Sequence, residues 1–230
     1  MINKKQTYLS ILMASALIVG MVWFGMAYAA NTYSVDLESA SSQYLSVADT
    51  NQTNLDMAGD FSIEAWIKLE QLPSTAGTNF TIVEKYNQTS IPAGYSLHIN
   101  TDNKLEMDFV NIDPSLTRAT ANATFASDEI GTWIHVAGVA TVGSSSITLY
   151  KNGVAWASTM TFTQASTIAG NSEPFQIGAG HNNSGALSFF DGKIDDVRVW
   201  DDARTSTEIA DHYQTELTDT EFSLVGYWKL

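Results

Sequence analysis

The chain has 230 residues, with 25 acidic and 11 basic side chains, a formal charge of −14, and no cysteine. That charge argues against nucleic acid, whose phosphates it would repel, and against anionic membrane surfaces; it suits an extracellular protein and divalent cations. The missing thiols exclude disulfide scaffolds, cysteine-based zinc centres and thiol catalysis, so the fold has to rest on its core.

Lys4 and Lys5 precede an uncharged run of 22 residues from Leu9 to Ala30, which contains Ala27-Tyr28-Ala29 near its end. A short basic region, an apolar stretch and an A-x-A pattern read as an export signal over residues 1–29, cut before Ala30. The run is also long enough to cross a bilayer, which takes about 20 apolar residues, so an uncleaved anchor is the alternative. Both readings place residues 30–230, one domain's worth of chain, outside the cytoplasm, secreted or at the cell surface. Loss of the signal removes two lysines and no acid, taking the charge from −14 to −16. Tripeptides beginning at Asn51, Asn79, Asn87, Asn122 and Asn182 fit N-x-[ST], a pattern that matters only in a eukaryotic secretory pathway.

Beyond the signal, short alternating runs are separated by Gly, Asn, Asp and Ser. Phe61, Ile63, Ala65, Ile67 and Leu69 alternate with Ser62, Glu64, Trp66 and Lys68, as in a strand on a packed sheet. Tyr95 to Ile99, then Asp102-Asn103, then Leu105 to Val110 predicts a hairpin. Trp133 to Thr141 and Ile147 to Tyr150 are further strands, and Asn152-Gly153 before Val154 to Ser158 is a type I′ hairpin signal, because both turn residues tolerate positive φ. Phe175 to Gly178 and Leu224 to Leu230 complete the strand set. One helix is predicted from about Ser206 to about Glu216: Thr205 and Glu208 form a capping-box pattern, and Ile209, Tyr213 and Leu217 make an apolar stripe. Many strands, one short C-terminal helix and regular turns give an all-β class, a sandwich or barrel.

The segment Asp191-Gly192-Lys193-Ile194-Asp195-Asp196-Val197-Arg198-Val199-Trp200, followed by Thr205 to Ile209, closely resembles the C-terminal signature of the laminin-G-like branch of the concanavalin A-like lectin/glucanase superfamily. Tyr44 to Val47 and Gly59 to Ile67 resemble its opening strands, and Gly131 to Ala137 with Leu149 to Val154 its central hairpin. The resemblance implies a two-sheet antiparallel jelly-roll sandwich and a mainly non-catalytic module for carbohydrate binding or adhesion. It also implies calcium as a cofactor at the sandwich edge, with Asp195 at the family's recurrent aspartate and Glu38 where the family often carries Asp-Gly.

On strict alternation Asp195 shares a face with Val197 and Val199, so its carboxylate needs a partner, either a metal or loop amides. Asp196, Arg198 and Trp200 share the other face, and pairing with Glu64 across strands would give a Glu64–Arg198 ion pair. Glu106-Met107-Asp108-Phe109-Val110-Asn111 approaches the E-x-D-x-x-E pattern of retaining glucanases, but an amide at Asn111 cannot protonate a leaving group. None of His98, His135, His181 and His212 stands in a His-x-x-His cluster. Candidate sugar contacts fall in two loop regions: His181, Asn182 and Asn183 in one, Tyr86 and Asn87 in the other. The sequence thus reads as a secreted or surface-attached binding module whose partner is an extracellular glycan, with no nucleic acid and with membrane contact only through an uncleaved anchor. The alternatives are a structural or adhesive module that binds a surface protein, and a divergent glycoside hydrolase.

Overall fold

The computed structural model describes residues 33–52, 54–87, 92–110, 115–161, 167–168, 170–182, 185–218 and 220–230. The signal with its cut before Ala30, Asn111 and Asn183 lie outside the described residues. In chain order the strands are β1 (Val35–Leu37), β2 (Leu45–Val47), β3 (Phe61–Leu69), β4 (Phe80–Asn87), β5 (Ala93–Ile99), β6 (Leu105–Val110), β7 (Leu116–Ala121), β8 (Ile134–Thr141), β9 (Ser146–Lys151), β10 (Val154–Trp156), β11 (Ser158–Thr161), β12 (Phe175–Ile177), β13 (Gly180–Asn182), β14 (Gly185–Leu187), β15 (Gly192–Trp200) and β16 (Leu224–Trp228). Helix α1 (Pro73–Ala76) is one turn and α2 (Ser206–His212) is two.

Two antiparallel sheets face each other. The first runs β1-β15-β3-β8-β9-β10, with β16 also on β15; the second runs β11-β7-β6-β5-β4-β12-β2. The inward residues of β3, Phe61, Ile63, Ala65, Ile67 and Leu69, are fully buried against Leu97, Met107 and Phe109 of the second sheet's core face. Asn152 and Gly153 both take positive φ, at 50° and 76°, and close the β9–β10 hairpin as their types predict. The chain then changes sheets: Trp156 pairs with Leu149, whereas Ser158 already pairs with Ala121.

Two irregularities decide where polar groups point. In β15 the register on β3 slips between Asp195 and Arg198, and Asp196 sits at φ 50°. This bulge lets Ile194 and Val197, three apart, both enter the core. Strict alternation therefore fails for Asp195, because the extra residue resets the phase of the strand. A similar slip in β4 between Thr81 and Val83 puts Ile82 and Val83 both in the core.

The expected helix is shorter than its apolar stripe. The capping box forms, with Thr205 Oγ1 accepting from the Glu208 amide and Glu208 Oε2 accepting from the Thr205 amide. The helix ends at His212, not near Glu216, because side chains take the carbonyls that a longer helix would use. Arg198 donates to the carbonyls of His212 (3.0 Å) and Thr215 (2.7 Å), and Trp66 donates to that of Tyr213 (2.8 Å). Leu217 is still buried. α2 and this segment cover the outer face of the first sheet, which is why Ser62, Glu64 and Trp66 are buried as well.

Candidate functional site: a polar cleft on the second sheet

The outer face of the second sheet carries polar side chains in two adjacent rows. Cross-strand register aligns Gln176, Glu84, Ser96, Asp108 and Arg118 in one row, and Thr81, His98, Glu106 and Thr120 in the next. The intervening residues of the same strands, Leu97, Met107 and Ala119, pack inward, so period-two alternation presents these groups on one surface. The β13–β14 hairpin closes one side: the His181 amide donates to Glu84 Oε1 at 2.6 Å, and the Thr81 amide to the Ser188 carbonyl at 3.0 Å. Between them lies a cleft of about 170 Å³ lined by Glu84, Tyr86, Asp108, Arg118, His181 and Leu187, among others. Sites that enclose a drug-sized ligand run to ~300–1,000 Å³, so this one fits a single ring or a chain end.

Its electrostatics are set by pairs. Arg118 grips Asp108 as a fork, Nε to Oδ1 and Nη2 to Oδ2, both at 2.6 Å. Those hydrogen bonds hold the guanidinium still more firmly protonated. Glu106 Oε1 accepts from Asn100 and Thr120, each at 2.8 Å, and its Oε2 lies 3.0 Å from His98 Nε2. Burial alone would raise the Glu106 carboxyl, but the hydrogen bonds from His98 and Thr120 and the charges of His98 and Arg118 hold it down at about 2. For His98, burial works against the charged form, and the Glu106 contact with the Asp108 and Glu106 charges overcomes it, so its pKa is raised. Glu84 behaves in the opposite way. Burial, with the Asp108 charge adding, pushes its carboxyl up to about 8, against the pull of the His181 amide and of His98. At neutral pH the cleft thus offers a protonated carboxylic acid, an arginine–aspartate fork, a tyrosine ring and a histidine. That set donates to and accepts from hydroxyl groups, while the ring offers an apolar face.

Of the sequence candidates, Tyr86 and His181, expected in separate loop regions, instead lie in strands β4 and β13 and line the same cleft. Asn87 ends β4 and Asn182 ends β13, both partly buried. Glu84 and Arg118 were missed. Glu84 follows the β4 bulge, which hides its phase, and Arg118 lies in a strand whose burial alternates but whose inward residues, Thr117, Ala119 and Ala121, are too small or polar to announce it. The Glu106–Asp108 pair does lie on this face, but both Asp108 oxygens are in the arginine fork and both Glu106 oxygens are engaged.

The residues expected to hold calcium do not come together. Asp195 Oδ1 accepts from the amides of Asp196 (2.7 Å) and Leu230 (3.1 Å), the loop-amide alternative. β1 places Leu37 opposite Gly192 and Val35 opposite Ile194, so Glu38 lies about four residues, ~13 Å, along the strand from the level of Asp195. Among the described residues no three His, Asp or Glu side chains form a group that could hold a metal. As a carboxylate pair, Asp195 and Glu38 do not fit a calcium ion.

On the first sheet, Arg198 stands opposite Glu64 as expected, at 4.0 Å, but its closer partner is Asp196 at 2.5 Å. Glu64 instead accepts from Trp200 Nε1 (2.7 Å) and faces His135 Nε2 (3.1 Å), a buried structural network beneath α2.

This architecture defines a class of protein: a laminin-G-like jelly roll whose open sheet carries a small polar cleft. A laminin-G model of the concanavalin A-like lectin/glucanases superfamily matches residues 39–210, and the chain belongs to that family. No curated protein matches it in sequence. Among solved structures it is similar to a Bacteroides ovatus protein proposed to bind carbohydrate (21% identity, 81% of this chain and 48% of that one, TM-score 0.58). It is also similar to the binding domain of botulinum neurotoxin serotype G (13%, 77% and 41%, 0.57) and to domains LG4-5 of the mouse laminin α1 chain (16%, 72% and 40%, 0.52). The chain spans less than half the length of each of these chains, and at such identities the likeness is one of fold. Among the described residues no helix is long and apolar enough to cross a membrane.

Proposed function

We propose that the chain is an exported, non-catalytic module that binds extracellular carbohydrate in the cleft of the second sheet. The observation that carries this reading is the meeting of Tyr86, His181, protonated Glu84 and the Asp108–Arg118 fork around one small cavity. Sugars offer an apolar ring face for Tyr86 and a dense set of hydroxyls for the polar rows. The likeness to a protein proposed to bind carbohydrate supports the same reading. The proposal favours a neutral glycan, since the chain carries −14 and a uronic or sulfated ligand would meet that field. A lack of hydrolysis is part of it, because the acid/base place beside Glu106 and Asp108 in the sequence holds Asn111, whose amide cannot protonate a leaving group.

The test is a glycan array with residues 30–230, wild type against Tyr86→Ala and Arg118→Ala. Retention of a defined set of neutral glycans that both variants lose supports the reading. Binding to none, or equal binding by all three proteins, rejects it, and release of reducing ends from any retained glycan would make the module an enzyme.

A further inference from the structure

Lys85 lies in β4 between Glu84 and Tyr86 but points the other way, and its side chain is 1% exposed. Four oxygens converge on its ammonium: Asp49 Oδ1 at 2.9 Å, Asp56 Oδ1 at 3.1 Å, and the carbonyls of Asn171 and Glu173, each at 2.9 Å. They come from the short turn after β2, the loop before β3 and the loop before β12. Carboxylates mixed with backbone carbonyls are the oxygen set that a hard divalent cation takes. Two counts fit such a cation better than they fit an ammonium. Two aspartates supply two negative charges where lysine returns one, and four acceptors share three N–H donors. A calcium ion has no such limit, since it accepts six to eight oxygens and water completes its shell.

We propose that this cage is a divalent-cation site in its ligand chemistry, filled by the chain's own ammonium, and that it takes calcium once the ammonium is removed. The resident cation fixes the loop behind the cleft. The Asn171 side chain donates to the carbonyls of Lys85 and Ala93, its Oδ1 accepts from the Glu173 amide, and the Glu173 carboxylate lies 3.5 Å from His181 Nδ1. Lys85 thus does for this loop what a bound metal would do, without dependence on the metal's concentration.

The experiment uses residues 30–230 as wild type, Lys85→Met, and Lys85→Met with Asp56→Asn. Thermal unfolding is followed in chelator and in millimolar calcium chloride, with terbium luminescence as a direct probe of binding. Wild type should melt alike in both media. Lys85→Met should melt lower than wild type in chelator and recover by about 5–10 °C at a hundredfold excess of calcium over its dissociation constant. It should also bind terbium in competition with calcium, and the added Asp56→Asn should abolish both effects. A Lys85→Met protein that folds only with calcium supports the proposal equally. It is overturned if Lys85→Met shows no calcium response or folds in neither medium. It is also overturned if the response survives Asp56→Asn, or if wild type responds as strongly as the variant. None of these readouts involves a glycan, so they stand or fall apart from the carbohydrate reading.

Discussion

The backbone amide of His181 sits 2.6 Å from Glu84 Oε1, and this contact joins the β13–β14 hairpin to the face of the second sheet. It also leaves one Glu84 oxygen for a proton, because burial raises that carboxyl to about 8. A neutral acid donates a hydrogen bond where a carboxylate only accepts. Glycan binding is therefore expected to hold from pH 5 to 7 and to weaken as pH rises through about 8. Glu84→Gln, which keeps a donor at all pH values, should flatten that profile, as titration of affinity at pH 6 and pH 9 would show.

The same shift has a stability sign. The folded state keeps the Glu84 proton between its ordinary value of 4.5 and about 8, while the unfolded chain has lost it. Stability contributed by this group therefore falls as pH rises through that window. Urea unfolding of wild type and Glu84→Gln should show the variant gaining on wild type from pH 5 to pH 8.5.

Glu106 works in reverse. Its carboxyl is held at about 2, so its stabilisation is present above 4.5 and is lost as pH falls from there toward 2. Glu106→Gln should unfold less steeply with acid than wild type over that range, as followed by circular dichroism.

Arg198 is fully buried and serves Asp196 and two carbonyls at once. Arg198→Met removes the charge that pairs with Asp196, and breaking a buried pair costs about 3–5 kcal/mol. In a domain of this size ~1 kcal/mol moves the melting temperature ~2–4 °C, so a fall of at least 6 °C is expected. Hydrogen exchange should quicken in α2 and in 213–217 before it does in β3.

Asp195→Ala should cost about 1–3 kcal/mol, because Oδ1 serves the amides of Asp196 and Leu230 and both would lose their acceptor. Asp195→Asn, which keeps an oxygen, should cost less. Both effects should be the same with calcium and with chelator; a calcium response of wild type that Asp195→Asn removes would make Asp195 a ligand after all.

The fold was legible where period and chemistry agree. The long alternation of β3, the Asn152-Gly153 turn and the Thr205–Glu208 box each produced the element they imply. Legibility failed where one extra residue reset the phase, at Ile82-Val83 in β4 and at Asp195-Asp196 in β15, since a bulge leaves no mark in composition. It failed again at Tyr213 to Leu217, where apolar spacing continues but Arg198 and Trp66, distant in sequence, claim the carbonyls. The cleft is half visible in the sequence: Tyr86 and His181 read as residues of two separate loop regions, but they lie in β4 and β13, and only strand order brings them beside Arg118.

Strands β1 and β16 lie end to end on the same edge of β15, one on Gly192 to Ile194 and the other on Val197 to Trp200. Both therefore belong to the first sheet, while the cleft opens on the outer face of the second. A tether fused after β16 would leave from the edge strand of the first sheet and not from the face that carries the cleft. An immobilised or surface-displayed version should then keep its ligand access with a short linker, whereas attachment through β13 or β14 would block it.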